Sequence, residues 1–140
     1  MDGMDMRNRS FAAGAFALTF LAAGAALAQD ADLVAEGEKV FRRCSACHMV
    51  GEGAQNRVGP ELSDVIGRTA GAVEGFRYSA AMTEAGQNGL VWDEETIYTY
   101  LEKPREFVKG TNMAFAGLPK TEDRKAVIAY IVANQTAPMN

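Results

Sequence analysis

Cys44-Ser45-Ala46-Cys47-His48 decides how this 140-residue chain reads, because it holds both cysteines and the only histidine. Two thiols three positions apart occupy one helical turn, so both can attack the vinyl groups along one haem edge. His48, next in sequence, then offers an imidazole nitrogen to iron. That spacing signals c-type haem attachment. Other chemistries fit it less well. A redox dithiol sits at the start of a helix, where the dipole lowers a thiol pKa, whereas here the helical pattern precedes the motif. Zinc would need a fourth ligand that Cys and His cannot supply. A disulfide across three residues would close a very small loop and add little stability.

The rest of the composition narrows the field. Fourteen Lys and Arg against 18 Asp and Glu give a net charge of -4, without the basic footprint of a nucleic-acid binder. No Gly-x-x-x-x-Gly-Lys phosphate loop is present, and one histidine leaves little for acid–base chemistry. The length corresponds to one domain.

Residues 1–28 read as a secretory signal peptide. Arg7 and Arg9 precede an uncharged run over positions 11–28, and Ala26-Leu27-Ala28 closes it as a small-x-small cleavage site before Gln29-Asp30. The expectation is an exported, periplasmic protein whose mature domain spans 29–140. Removing 28 residues takes away two basic and two acidic groups, so the charge stays at -4.

Within that domain, Leu33, Val34, Gly37, Val40, Phe41 and Cys44 recur on one helical face, which predicts a helix over 31–44. A second helix is expected over 121–133, capped by Thr121 and carrying Val127, Tyr130 and Ile131 as its stripe. A third begins at cap Asp93, with Ile97, Tyr100 and Leu101 on its apolar face, and stops at Pro104. Eight of the eleven glycines after position 28 fall between Met49 and Val91, where only short helical pieces, at 61–66 and 79–85, are expected. No strand or hairpin pattern is visible. Some 40 mostly irregular residues make sense inside a domain if something other than protein fills its centre. The fold class is all-α.

With one histidine, a second axial ligand to iron within this chain would be a methionine, the usual partner in electron-transfer cytochromes. Met49 adjoins His48 and cannot reach the opposite face, and Met139 sits in a short polar tail. Met82 falls in a short helical piece, and Met113 lies in the glycine-bounded loop 110–117. The mechanics of the sequence favour Met113 only modestly over Met82, since a glycine-bounded loop can present a thioether inward whereas a methionine in a short helix is more often core filler.

The chain resembles class I c-type cytochromes, particularly the soluble bacterial cytochrome c2/c-550 type, which is similar to mitochondrial cytochrome c. The likeness runs from about Glu36 to Ala133. It rests on Gly37-x-x-x-Phe41 before the attachment motif, Gly59-Pro60-x-Leu62, Gly67-Arg68, and Pro104 through Gly110-Thr-x-Met113-x-Phe115, with Val127-Ile-Ala-Tyr130 near the end. The resemblance implies N- and C-terminal helices that cross, with Gly37 allowing close approach to Tyr130, and loops wrapped around one covalently bound haem c. It implies Cys44 and Cys47 as attachment points and His48 and Met113 as axial iron ligands. The Pro60 carbonyl would accept the other ring N–H of His48. Arg68, Tyr78 and Trp92 would hydrogen-bond the haem propionates, and Tyr100 and Phe115 would complete the pocket.

The activity implied is one-electron transfer without a substrate site, by a monomer that shuttles between quinol:cytochrome c reductase and a terminal oxidase or photosynthetic reaction centre. Arg42, Arg43, Arg57, Arg105, Lys109 and Lys120 would border the exposed haem edge of that fold. They form the candidate docking ring for acidic partners. Asn112 and Glu106 stand where mitochondrial proteins have lysines, which bears on partner identity and not on the haem chemistry.

Overall fold

Alanine is the strongest helix former, and the alanine-rich, proline-free run before position 31 lets the first helix start early. The computed structural model describes residues 21–136, and in it α1 spans Leu21–Phe41. The expected signal peptide lies outside the described residues up to position 20, as does Met139. Helix α1 runs through the expected cleavage point. It also stops three residues short of Cys44, because the backbone tightens there: Cys44 N–H donates to the Phe41 carbonyl at 2.7 Å and His48 N–H to the Cys44 carbonyl at 2.9 Å. The attachment motif therefore occupies tight turns at the end of α1.

Four further helices follow among the described residues: α2 Ala80–Gln87, α3 Glu94–Glu102, α4 Pro104–Phe107 and α5 Thr121–Ala133. Asp93 caps α3 as expected, its side chain accepting from Thr96 N–H at 2.7 Å. Pro104 ends α3 and also opens α4, a first-turn position where its missing N–H costs nothing. Thr121 is not the cap of α5. Lys120 holds that position without a side-chain bond, and the Thr121 hydroxyl bonds Tyr98.

The helical piece expected at 61–66 is absent. That segment is a run of turns, because Glu61 bonds local backbone in competition with a helix and Ser63 is drawn to a distant carbonyl. Glu61 accepts from Ser63 N–H at 2.8 Å, and the Ser63 hydroxyl donates to the Gly51 carbonyl at 2.8 Å. A two-stranded antiparallel ladder, β1 Arg68–Thr69 with β2 Val91–Trp92, pairs Arg68 with Trp92. Strands of two residues cannot display an alternating pattern, so the sequence carried no sign of them.

Helices α1 and α5 make the most extensive helix–helix contact. A Cβ added at Gly37 would run into the Ala126 carbonyl and lie 2.7 Å from Tyr130 Cβ, so the absent side chain is what lets the backbones touch. Phe41 then packs on Tyr130, with ring centroids 5.2 Å apart. The core gathers Val40 and Phe41 from α1, Ile97 and Tyr100 from α3, and Val127, Ile128 and Ile131 from α5 around buried Trp92 and Leu118.

Candidate cofactor site

Several of these core side chains also border an interior space. They line a cavity of about 340 Å³, in the range of sites that hold an organic ligand. Its wall includes Cys44, Cys47, His48, Pro60, Arg68, Tyr78, Trp92, Tyr100, Met113 and Phe115, together with the aliphatic Leu62, Ile97, Val127 and Ile131. All ten residues expected to touch the cofactor thus line one cavity, although they come from segments spread over 72 positions (44 to 115).

The orientation of His48 follows from one bond. Its Nδ1 lies 2.7 Å from the Pro60 carbonyl oxygen, which can only accept, so Nδ1 carries the proton and Nε2 keeps a lone pair. Burial lowers the imidazole pKa, and the Pro60 bond only partly offsets this, so the ring is neutral and able to ligate metal. Gly59 makes the arrangement possible. A Cβ there would sit 2.7 Å from both ring nitrogens.

The thiols are partly buried and not joined to each other. Burial pushes the Cys44 pKa up to about 11, against a smaller lowering by Arg43 and a further rise from Cys47. A redox-active dithiol needs the opposite shift, so the environment itself disfavours thioredoxin-like chemistry.

Two methionines reach the cavity. Met82 does so as a core residue of α2, 8% exposed. Met113 sits on the irregular strap over residues 110–120 and accepts a hydrogen bond on Sδ from the Tyr100 hydroxyl at 3.6 Å. Burial raises the Tyr100 pKa, with Thr111 lowering it less, so the phenol remains a donor at neutral pH. Met49 faces a separate crevice beside Glu38 and Arg42.

Arg68 has a protein partner that the sequence reading did not supply. Nη1 donates to Glu61 Oε1 at 2.6 Å and Nη2 to the Glu61 carbonyl at 2.8 Å. Three of its five N–H groups remain for an anionic group in the cavity. The Tyr78 hydroxyl, expected to serve a propionate, accepts from Val73 N–H at 3.3 Å and can still donate. Trp92 packs on Tyr100 with centroids 4.9 Å apart. The donor set therefore fits an iron porphyrin: two thiols beside a neutral imidazole, a thioether on another part of the wall, and cationic and hydroxyl groups for acidic substituents.

Glu61 gives a measurable consequence. Burial alone would raise its pKa, but the Ser63 bonds and Arg68 outweigh this and hold it below the ordinary carboxylate value. A depressed folded pKa stabilises above the unfolded value, near 4.3, and that contribution is lost as pH falls through the folded pKa. The expected result is that Glu61→Gln lowers stability at neutral pH and flattens the acid limb of a denaturation-versus-pH curve. An unchanged acid limb would contradict it.

Among the candidate docking residues, Arg43 lies on the cavity wall and pairs with Asp123 at 3.3 Å, with 56% of its side chain exposed. Arg57 donates to the Ser45 carbonyl at 3.4 Å and, with Arg42, lines the adjacent crevice. Arg105, Lys109 and Lys120 are exposed. Arg77 also lies on the cavity wall and escaped the sequence reading, as did Glu61 and the buried Arg124. A single charged letter carries no periodic signal that separates a buried cation from a solvated one.

A mostly helical chain folded around a cavity with this donor set is a haem-binding electron-transfer protein in its architecture. The family described as Cytochrome c matches residues 34–135. The chain is 55% identical over 111 residues to cytochrome c2 of Afifella marina, covering 79% of this chain and 90% of that one. It is 47% identical to cytochrome c-550 of Ancylobacter novellus, covering 69% and 91%. The solved structure of cytochrome c2 from Rhodospirillum centenum superposes with a TM-score of 0.70 at 41% identity, covering 73% of this chain and 98% of that one. The chain belongs to the cytochrome c family. It has the class I cytochrome c fold, takes one covalently attached haem c through a motif that Cys44 and Cys47 fit, and acts as an electron carrier and not as an enzyme.

Proposed function

We propose that this cytochrome is an exported, diffusible monomer that carries single electrons between quinol:cytochrome c reductase and a terminal oxidase or photosynthetic reaction centre. In this reading the signal peptide 1–28 is cleaved after Ala28 and residues 29–140 work in the periplasm. Cys44 and Cys47 would attach the haem, His48 and Met113 would ligate its iron, and Pro60, Arg68, Tyr78, Trp92, Tyr100 and Phe115 would shape the pocket. The observation that carries the reading is the neutral His48, fixed at 2.7 Å from the Pro60 carbonyl, lining the same cavity as both thiols and the Tyr100-bonded Met113. Haem bound there would supply a metal that cycles between Fe(II) and Fe(III), the one-electron chemistry of the carrier.

The chain's residues contribute rigidity and exclusion of water. Pro60 orients the imidazole, Tyr100 orients the thioether, and the aliphatic wall keeps the cavity dry. Relatives named cytochrome c2 and cytochrome c-550 support a bacterial carrier of this kind. No helix among the described residues is long and apolar enough to cross a membrane.

Docking through Arg42, Arg43, Arg57, Arg105, Lys109 and Lys120 is the electrostatic part of the proposal, since local positive charge can steer toward acidic partners despite a net charge of -4. Its test is the bimolecular rate of electron transfer to the isolated reductase and oxidase complexes as salt is raised. A rate falling several-fold between 10 and 150 mM salt is expected, as the Debye length shortens from about 30 to about 8 Å. A rate independent of salt would overturn the steering.

A further inference from the structure

Arg124 is 4% exposed and lies in α5 beside buried Ala126, Val127 and Ile128. A guanidinium in that position is costly, and an aliphatic side chain would satisfy the same helix stripe. Its donors reach outside its own helix. Nη1 donates to two successive carbonyls, Leu118 at 2.6 Å and Pro119 at 3.0 Å. Nη2 donates to the Tyr98 hydroxyl at 3.1 Å and lies 3.7 Å from Glu102 Oε2, while the guanidinium stacks over the Tyr98 ring at 4.4 Å. Nε has no hydrogen-bond partner among the described residues. The group thus accepts an unsatisfied donor in order to hold two carbonyls at one end of the strap.

That strap needs a clamp. From 111 to 120 it has no regular secondary structure, so its backbone is held at few points. Near its start, Thr111 N–H bonds the Val108 carbonyl at 3.1 Å and Met113 N–H the Thr111 hydroxyl at 3.2 Å. At its far end, Leu118 N–H bonds the Leu101 carbonyl at 2.7 Å, and Gly117, at φ +113°, packs where a Cβ would strike the Glu102 carbonyl. Arg124 closes that end, five residues from Met113, and joins it to α3 and α5 together.

We infer that Arg124 is a positioning residue for the axial sulfur: by clamping the Leu118 and Pro119 carbonyls it sets how often the strap opens and withdraws Met113 from the cavity. The inference rests on the reading of Met113 as axial ligand.

The test uses the haem-loaded protein and added cyanide, which can take the methionine's place only when the strap moves. At fixed pH, Arg124→Met is expected to bind cyanide about tenfold faster or more, equivalent to about 1.4 kcal/mol in the opening equilibrium. Arg124→Lys, which keeps the charge but loses the fork, is expected to fall between it and the unaltered protein. Gln135→Ala serves as control, because that side chain bonds the Leu62 and Ile131 carbonyls at the opposite end of α5. At a matched loss of denaturant stability it should bind cyanide at nearly the unaltered rate. Equal acceleration in the control, or an unaltered rate in Arg124→Met, overturns the inference. Should Arg124→Met not fold, an unaltered rate in Arg124→Lys does the same. Failure of the Met113 reading shows separately, as a far-red sulfur-to-iron band that survives Met113→Ala.

Discussion

Met113→Ala is expected to remove the far-red sulfur-to-iron absorption band and to lower the midpoint potential by on the order of 0.1–0.3 V, a fraction of the roughly 0.8 V over which axial ligands tune haem. The argument starts from the sulfur. A thioether is a soft, neutral donor that favours Fe(II), and the Tyr100 hydroxyl at 3.6 Å draws further density from it. Alanine removes both effects and opens the cavity to water, which favours the more highly charged ferric state. The measurements are a redox titration and an oxidised spectrum of the same preparation. The fold should persist, because Met113 is only half-buried and the strap's far end is held by Leu118 and Arg124. Met82→Ala offers the contrast. Met82 is buried in α2, so its truncation should cost about 2–4 kcal/mol of stability as a core cavity while leaving the far-red band in place. Reversal of the two outcomes would make Met82 the ligand.

The contrast between these methionines also explains what could be read beforehand. His48 and the two cysteines were legible because their chemistry is compressed into five adjacent letters. Helices α3 and α5 were legible because an apolar stripe recurs on each, and the Asp93 cap because its bond spans three residues. The partners of Arg68 and Arg124 were not. Glu61 meets Arg68 through a turn that no pattern announced, and Arg124 meets Leu118 only because the strap folds back on α5. Sequence mechanics alone favour Met113 only modestly over Met82 for the same reason. Both reach one cavity, and what separates them is the Tyr100 hydroxyl, a contact between α3 and the strap that exists only once both are folded. The glycine-rich middle of the chain signals that it wraps something, but its composition suggests helix at 61–66 where the structure has turns. A local side-chain bond at Glu61 and a longer-range one from Ser63 to Gly51 won over propensity there.

Gly37→Ala should produce the largest loss of stability of any single substitution considered, about 3 kcal/mol or more, comparable with severe overpacking or worse. A methyl at this position would meet the Ala126 carbonyl, which is backbone within α5 and cannot rotate away, and Tyr130 Cβ at 2.7 Å. Relief requires the two helices to part. In a solvent-exposed helix the same change would help by about 1 kcal/mol, because alanine is the better helix former, so the sign itself reports the contact. Parting α1 from α5 also has a consequence for the site. The attachment turn is continuous with the end of α1 through the Cys44 bond to Phe41, while Val127 and Ile131 of α5 form part of the cavity wall. Separation would therefore move the cysteines and His48 relative to the opposite wall, and haem incorporation should fall together with stability. Denaturant unfolding of whatever haem-loaded protein is recovered, alongside haem per polypeptide, measures both. A Gly37→Ala protein as stable as the original would mean that the helices do not touch here, and the arrangement that places the attachment turn against α5 would have to be drawn differently.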